Sequence, residues 1–221
     1  MSAYFVTATG TDIGKTFITA GLVRHLRVRG EEATALKPVI SGIDDKNFRE
    51  SDSAKLLDAM GEEATIENIA RISPWRYAAP LSPDMASLRE RRPIDFTALV
   101  DFSRRAIAAH QGTLLIEGVG GVMVPLDLHY TVLDWITALK IPVVLVAGSY
   151  LGALSHTLTA MEVLRRVGVA PAALVVNESE GSTVTMAETV ESLGWFAQGS
   201  PVVEISRNQS DFSPLSTVLS R

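Results

Sequence analysis

The segment VTATGTDIGKTFIT, Val6 to Thr19, constrains the fold more than any other part of the chain. Ahead of the glycines, AYFVTAT (Ala3–Thr9) is apolar and rich in strand formers. Behind them, KTFITAGLVRHLRVRG carries Phe17, Ile18, Leu22, Val23 and Leu26 at helical spacing. Arg24, Arg27 and Arg29 lie toward the end of that helix, where its dipole favours cations, and Gly30 stops it. Strand, glycine loop and helix in this order can cradle phosphate with backbone N–H groups and a helix N-terminus. Gly14, Lys15 and Thr16 end the pattern G-x-x-x-x-G-K-[ST], with a Lys for phosphate charge and a hydroxyl for Mg²⁺. The first glycine of that pattern belongs at position 9, yet Thr9 stands there and the glycine is Gly10. An ordinary βα turn is the plainer alternative; the flanking strand and helix weigh against it.

The rest of the chain continues the alternation. FTALVDFSRRAIAAH, TVLDWITALK, LSHTLTAMEVLRRVG and TVTMAETVESLG read as helices. GTLLIEGVGG, IPVVLVAG, APAALVVNE and PVVEIS read as strands, and EATALKPV (Glu32–Val39) as another, ended by Pro38. Strands apolar throughout, alternating with helices, predict a mostly parallel sheet covered on both faces. Residues 41–93 are mixed and polar, with one short helix expected near Ser53–Met60 and a proline-rich, ordered excursion at Ser73–Ala86. No repeat or linker interrupts the 221 residues, so one α/β domain over 1–221 is expected, its active-site loops at the carboxyl ends of the strands.

Composition removes several function classes. The chain has no cysteine, which excludes disulfides, thiolate metal sites and cysteine nucleophiles. A formal net charge of −5 argues against a nucleic-acid partner. No apolar run reaches membrane-spanning length and no basic leader precedes the first strand, so a soluble cytoplasmic protein is expected.

Polar residues at strand ends are the next candidates. Lys37 closes a short strand beside the expected phosphate edge; the alternative is a solvated strand-end Lys. Glu117 ends the apolar run LLIE, where an unpaired acid is costly unless it meets a cation. A metal-holding acid fits there, and a loop-bracing acid is the alternative. Asp52 is a second metal candidate, with helix capping as its simpler role. Asn177 ends LVVN and offers both donor and acceptor to a base edge, or else forms a turn. GSYLGALSH (Gly148–His156) leads a strand into a helix whose first N–H groups suit a carboxylate, with Ser155 as a plain cap otherwise.

These motifs in combination resemble one family, the ATP-dependent dethiobiotin synthetases of biotin biosynthesis. ATGTDIGKT, KPVISG, ESDSAKL, AAPLSPDMAS, IEGVGGVMVPL and IPVVLVAGSYLGALSHTL follow the family's order over about residues 4–177. The family has its own longer glycine spacing, which accounts for the displaced Gly10. Ala8 stands where the family has Gly, Gly10 where it has Asp, and Ser155 where it usually has Asn.

The resemblance implies a P-loop fold and a homodimer. It implies ring closure of 7,8-diaminopelargonic acid with CO₂ and MgATP, through a carbamate and a mixed carbamic–phosphoric anhydride. Carried over residue by residue, Lys15 would neutralise the β/γ-phosphates, and Thr16, Asp52 and Glu117 would hold Mg²⁺. Asp12, Ile13, Gly14, Lys15, Thr16 and Asn177 would bind nucleotide, the last at the adenine. Lys37, Lys15 and Thr11 would act on the reacting groups. Ser41 would hold the carbamate or γ-phosphate, and Gly152, Ala153, Leu154 and Ser155 the substrate's tail carboxylate. A P-loop switch ATPase of the partitioning type is the rival from another class, although Gly10 stands where those loops carry a signature Lys.

Overall fold

In the computed structural model, which describes residues 2–220, the strands in chain order are β1 (Ser2–Ala8), β2 (Ala33–Leu36), β3 (Val39–Ser41), β4 (Trp75–Tyr77), β5 (Thr113–Glu117), β6 (Val143–Gly148), β7 (Pro171–Asn177) and β8 (Val202–Ile205). Six of them form one sheet in the order β2-β5-β1-β6-β7-β8, with every pair parallel. All six residues of β6 are buried, as a central strand covered on both faces requires. Its side chains alternate between two cores: Val144 and Val146 enter one, and Val143, Leu145 and Ala147 enter the other.

Helices supply both covers. They are α1 (Lys15–Val28), α2 (Asp52–Ala59), α3 (Ile66–Ile72), α4 (Pro83–Arg89), α5 (Phe96–Ala109), α6 (Val132–Leu139), α7 (Ala153–Arg166), α8 (Met186–Phe196) and α9 (Ser213–Leu219). Apolar residues of α1, α2, α3 and α9 share the first core, and those of α5, α6, α7 and α8 the second. Trp135 of α6 anchors the second core, with its ring edge-on to Phe5 at 4.8 Å. Its indole N–H finds the Ser103 hydroxyl at 3.1 Å, so the buried donor is satisfied. No helix among the described residues is long and apolar enough to cross a membrane.

Because all six strands run the same way, their carboxyl ends share one edge, where open α/β sheets bind ligands. The chain turns back there in its strand order: β1 lies between β5 on one side and β6 on the other.

The expected parallel sheet with helices on both faces is present. The middle of the chain holds more than the one expected short helix: α3 and α4 also form, and β3 pairs with β4 in a small separate parallel sheet. The expected Glu32–Val39 strand divides around Lys37 and Pro38, since Pro38 lacks the N–H that would continue a ladder. Helix α9 was also not expected. Helices α3, α4 and α9 are each seven residues long, too short to show a period, and two of them begin with proline in the first turn.

Candidate active site

The loop between β1 and α1 is shaped by backbone conformations that few sequences tolerate. Gly14 has φ +94° and Asp12 has φ +57°. A Cβ on Gly14 would stand 2.2 Å from the Asn177 amide nitrogen. That nitrogen donates to the Ile13 carbonyl at 2.9 Å, so the end of β7 holds the loop from outside. The Asn177 Oδ1 is buried and has no donor. On the other flank, a Cβ on Gly121 would lie 3.2 Å from the Ala8 carbonyl oxygen and the Gly10 nitrogen. Glycine there lets the IEGVGG turn close against the loop.

Four side chains meet where the carboxyl ends of β1, β2 and β5 face the start of α2. Register sets Val6 of β1 beside Glu117 of β5. Glu117 is fully buried, and its Oε1 accepts from Thr16 Oγ1 and from Lys37 Nζ, both at 2.6 Å. Lys37 Nζ also lies 3.2 Å from Asp52 Oδ2, which opens α2. Lys37 holds its place through its own N–H, which donates to the Ile72 carbonyl at the end of α3. Lys15, nearly buried, donates from Nζ to the Gly10 carbonyl at 3.1 Å.

Burial and charge set the ionisation of this group. Burial alone would discharge Lys37, but Glu117 and Asp52 beside it raise its pKa above the ordinary lysine value. Lys15 has weaker compensation. Burial, reinforced by the neighbouring Lys37 ammonium, lowers its pKa to about 8. Burial opposes the charge on Asp52, and Lys37 outweighs it, so that carboxyl titrates below its usual range.

One cleft of about 1110 Å³ opens over these groups. Of the residues singled out from sequence, Thr11, Asp12, Gly14, Lys15, Thr16, Lys37, Ser41 and Asp52 line it. Glu117 lies behind Lys37 and Thr16, without a surface of its own. Ile13 and Asn177 meet on the far side of the loop. Gly152, Ala153, Leu154 and Ser155 are not brought into the cleft of their own chain: they start α7 after β6, with Gly152 at φ +99° and Leu151 exposed. The Tyr150 carbonyl takes the Ala153 N–H.

Sequence reading missed several lining residues. Pro80, Leu81, Ser82 and Pro83 form one wall, and Ser82 Oγ is buried there without a partner. Their sequence signal is the proline-rich excursion Ser73–Ala86, whose composition marks order and not a place in the cleft. Arg24 and Lys55 line the outer part. Nothing local marks them, since helical Arg and Lys are ordinarily solvated.

The oxygen-rich set suits a hard divalent ion. Thr16 Oγ1, Asp52 and Glu117 stand together, and Glu117 Oε2 is a buried acceptor with no donor.

The chain is similar to known proteins over most of its length. A family model described as an AAA domain matches residues 2–206. The ATP-dependent dethiobiotin synthetase BioD of Acidiphilium cryptum (strain JF-5) is 52% identical over 194 residues, 87% of each chain. That of Methylobacterium nodulans is 50% identical over 195 residues, 86% of each chain. Among solved structures, a ParA family ATPase from Chlorobium tepidum TLS gives a TM-score of 0.55 over 99% of this chain and 88% of that one. Its 14% identity makes it a likeness of fold alone. With a glycine loop, two lysines and a buried acid arranged as above, and with half of the aligned residues shared with those relatives, this chain belongs to the ATP-dependent dethiobiotin synthetase family.

Proposed function

We propose that this protein is an ATP-dependent dethiobiotin synthetase, closing a cyclic urea on 7,8-diaminopelargonic acid with CO₂ and ATP. One observation carries the reading: two lysines, a threonine and two carboxylates from four distant segments converge on one cleft behind a phosphate loop. A plain ATPase has no use for so much charge beyond the triphosphate. This reaction must hold a triphosphate, a carbamate and a tail carboxylate together.

The first amine adds to CO₂ and loses a proton, giving a carbamate. A carbamate oxygen attacks the γ-phosphorus as the bond to the β-phosphate oxygen breaks, leaving ADP and a carbamic–phosphoric anhydride. The second amine then attacks the carbonyl carbon, phosphate departs, and the ring closes with loss of a proton. Lys15 sits where the loop presents its N–H groups, and neutralises the β/γ-phosphates. Lys37, Thr11 and Ser41 face the same space and hold the carbamate and the transferring phosphoryl group. Groups preorganised in this way supply much of the rate in phosphoryl transfer. Thr16, Asp52 and Glu117 would hold Mg²⁺, which when bound neutralises phosphate oxygens. Asn177 Oδ1, an acceptor without a donor, suits the exocyclic amine of adenine.

The Gly152–Ser155 helix start takes the tail carboxylate. Because it lies outside the cleft of its own chain, the reading includes a homodimer in which a second copy brings this segment to the substrate. Exposed Leu151 and Leu154 support that contact surface. We place the reaction in the cytoplasm, where ATP is supplied.

Incubating the purified protein with diaminopelargonate, bicarbonate and MgATP, with products resolved by mass, tests the proposal. Dethiobiotin with matching ADP and phosphate is the expected result. ATP hydrolysis indifferent to the diamine would favour the switch ATPase instead.

A further inference from the structure

Lys37 has two claims on it. The proposed chemistry wants its ammonium on the carbamate, yet the structure holds it between two carboxylates. Nζ lies 2.6 Å from Glu117 Oε1 and 3.2 Å from Asp52 Oδ2. Glu117 has no surface of its own, while Lys37 and Thr16 face the cleft in front of it. Thr16 donates to the same Oε1, and the remaining Oε2 is buried without a donor. An ion entering from the cleft therefore reaches Asp52, the more exposed carboxylate, and finds Lys37 between it and Glu117.

Charge explains why the ammonium is there. Glu117 is withdrawn from water and Asp52 partly so; Lys37 is the cation that touches both, while Lys55 reaches Asp52 alone, at 3.5 Å. A divalent ion offers twice the charge, and Mg²⁺ binds oxygens at about 2.0–2.1 Å, closer than an ammonium can approach. Two cations on one buried oxygen repel each other strongly at low dielectric. We propose that Lys37 is the resident counter-cation of Asp52 and Glu117, and that a divalent ion competes with it for these carboxylates, turning its ammonium out into the cleft. The backbone need not move: the Lys37 N–H stays on the Ile72 carbonyl while the flexible four-carbon stem swings. The site then assembles in order, because the cation that faces the carbamate is released only once metal has entered.

Only the use of the freed ammonium rests on the dethiobiotin synthetase reading; the exchange needs neither ATP nor diamine. It is tested with Mn²⁺ as the probe, followed by spin resonance on the whole chain without nucleotide. Lys37→Met removes the competitor, so it should bind Mn²⁺ at least about tenfold more tightly than wild type. Its thermal midpoint, lowered in chelator, should recover on adding Mn²⁺ or Mg²⁺, while the wild-type midpoint moves little. Equal Mn²⁺ affinity in the two proteins overturns the proposal. Should Lys37→Met fail to fold with or without metal, amine labelling of the wild-type protein decides. Lys37 should be protected in chelator and acylated several-fold faster with Mg²⁺, as read by peptide mass; an unchanged rate overturns the exchange. None of these readouts involves turnover, so a failure of the proposed reaction is separable from a failure of this exchange.

Discussion

Asn177 donates its side-chain amide to the Ile13 carbonyl across 2.9 Å, joining the end of β7 to the glycine loop over 164 positions of sequence. The Ile13 carbonyl needs a donor, which fixes the amide with Nδ2 toward the loop and leaves Oδ1 buried without a donor. One residue thus braces the phosphate loop and presents an acceptor. Asn177→Asp keeps the shape but replaces the donor with a second acceptor facing a carbonyl. The KM for ATP should rise by at least about tenfold, the scale of one lost hydrogen bond plus an unpaired acceptor. An unchanged KM in steady-state assays would remove the bracing role.

Gly14 lies against the same amide. Gly14→Ala forces a left-handed backbone on alanine and drives its Cβ into the Asn177 side chain. Strain of this kind costs about 1–3 kcal/mol. Because the loop is where the strain falls, ATP binding should weaken more than the thermal midpoint drops. Calorimetry on the purified variant measures both, and retention of wild-type ATP affinity would contradict the geometry.

The place proposed for Lys15 on the triphosphate would make nucleotide binding pH-dependent. Burial first, and then the Lys37 ammonium, lower its pKa from 10.5 to about 8 in the free protein. Triphosphate favours the charged form and so raises that value again. Above about pH 8, binding must therefore take up a proton, and affinity falls as pH rises through 8. Below that window the group is already charged and contributes no slope. The sign for folding is opposite to that of a stabilised lysine. The folded pKa lies below the unfolded one, so the penalty for charged Lys15 is complete below about 8 and fades toward 10.5. Titration calorimetry of ATP at pH 9 in two buffers of different ionisation heat should show proton uptake, and Lys15→Met should lose it.

Lys37→Ala should leave the KM for ATP within a few-fold of wild type while turnover falls by about a hundredfold or more. Equal losses in nucleotide affinity and turnover would mean that Lys37 serves binding alone. Lys37→Arg should fail as well, since a planar fork does not reproduce the compact point charge that the carbamate is proposed to meet.

Trp135 should dominate the stability of the second core. Trp135→Ala removes the ring packed on Phe5 and leaves the Ser103 hydroxyl without its donor. A loss of about 3–5 kcal/mol is expected in denaturant unfolding. A loss below about 1 kcal/mol would mean that the site collapses around the gap.

The layered fold was legible along the chain because its signals are local. Buried parallel strands are apolar at every position, long helices show a period, and β1, the glycine loop and α1 announce themselves in sequence. Lys15, Thr16 and the oxygens expected around a metal could also be named from local pattern and family resemblance. Folding alone decided that Lys37 touches both Asp52 and Glu117, partners 15 and 80 positions away. The same holds for Asn177 bracing Ile13, for Ser82 entering the cleft wall, and for α7 starting away from its own chain's cleft. The physical reason is the range of the forces involved. Backbone propensity and hydrophobic period act between near neighbours, whereas ion pairing between buried groups depends on where the sheet register and helix packing bring remote side chains.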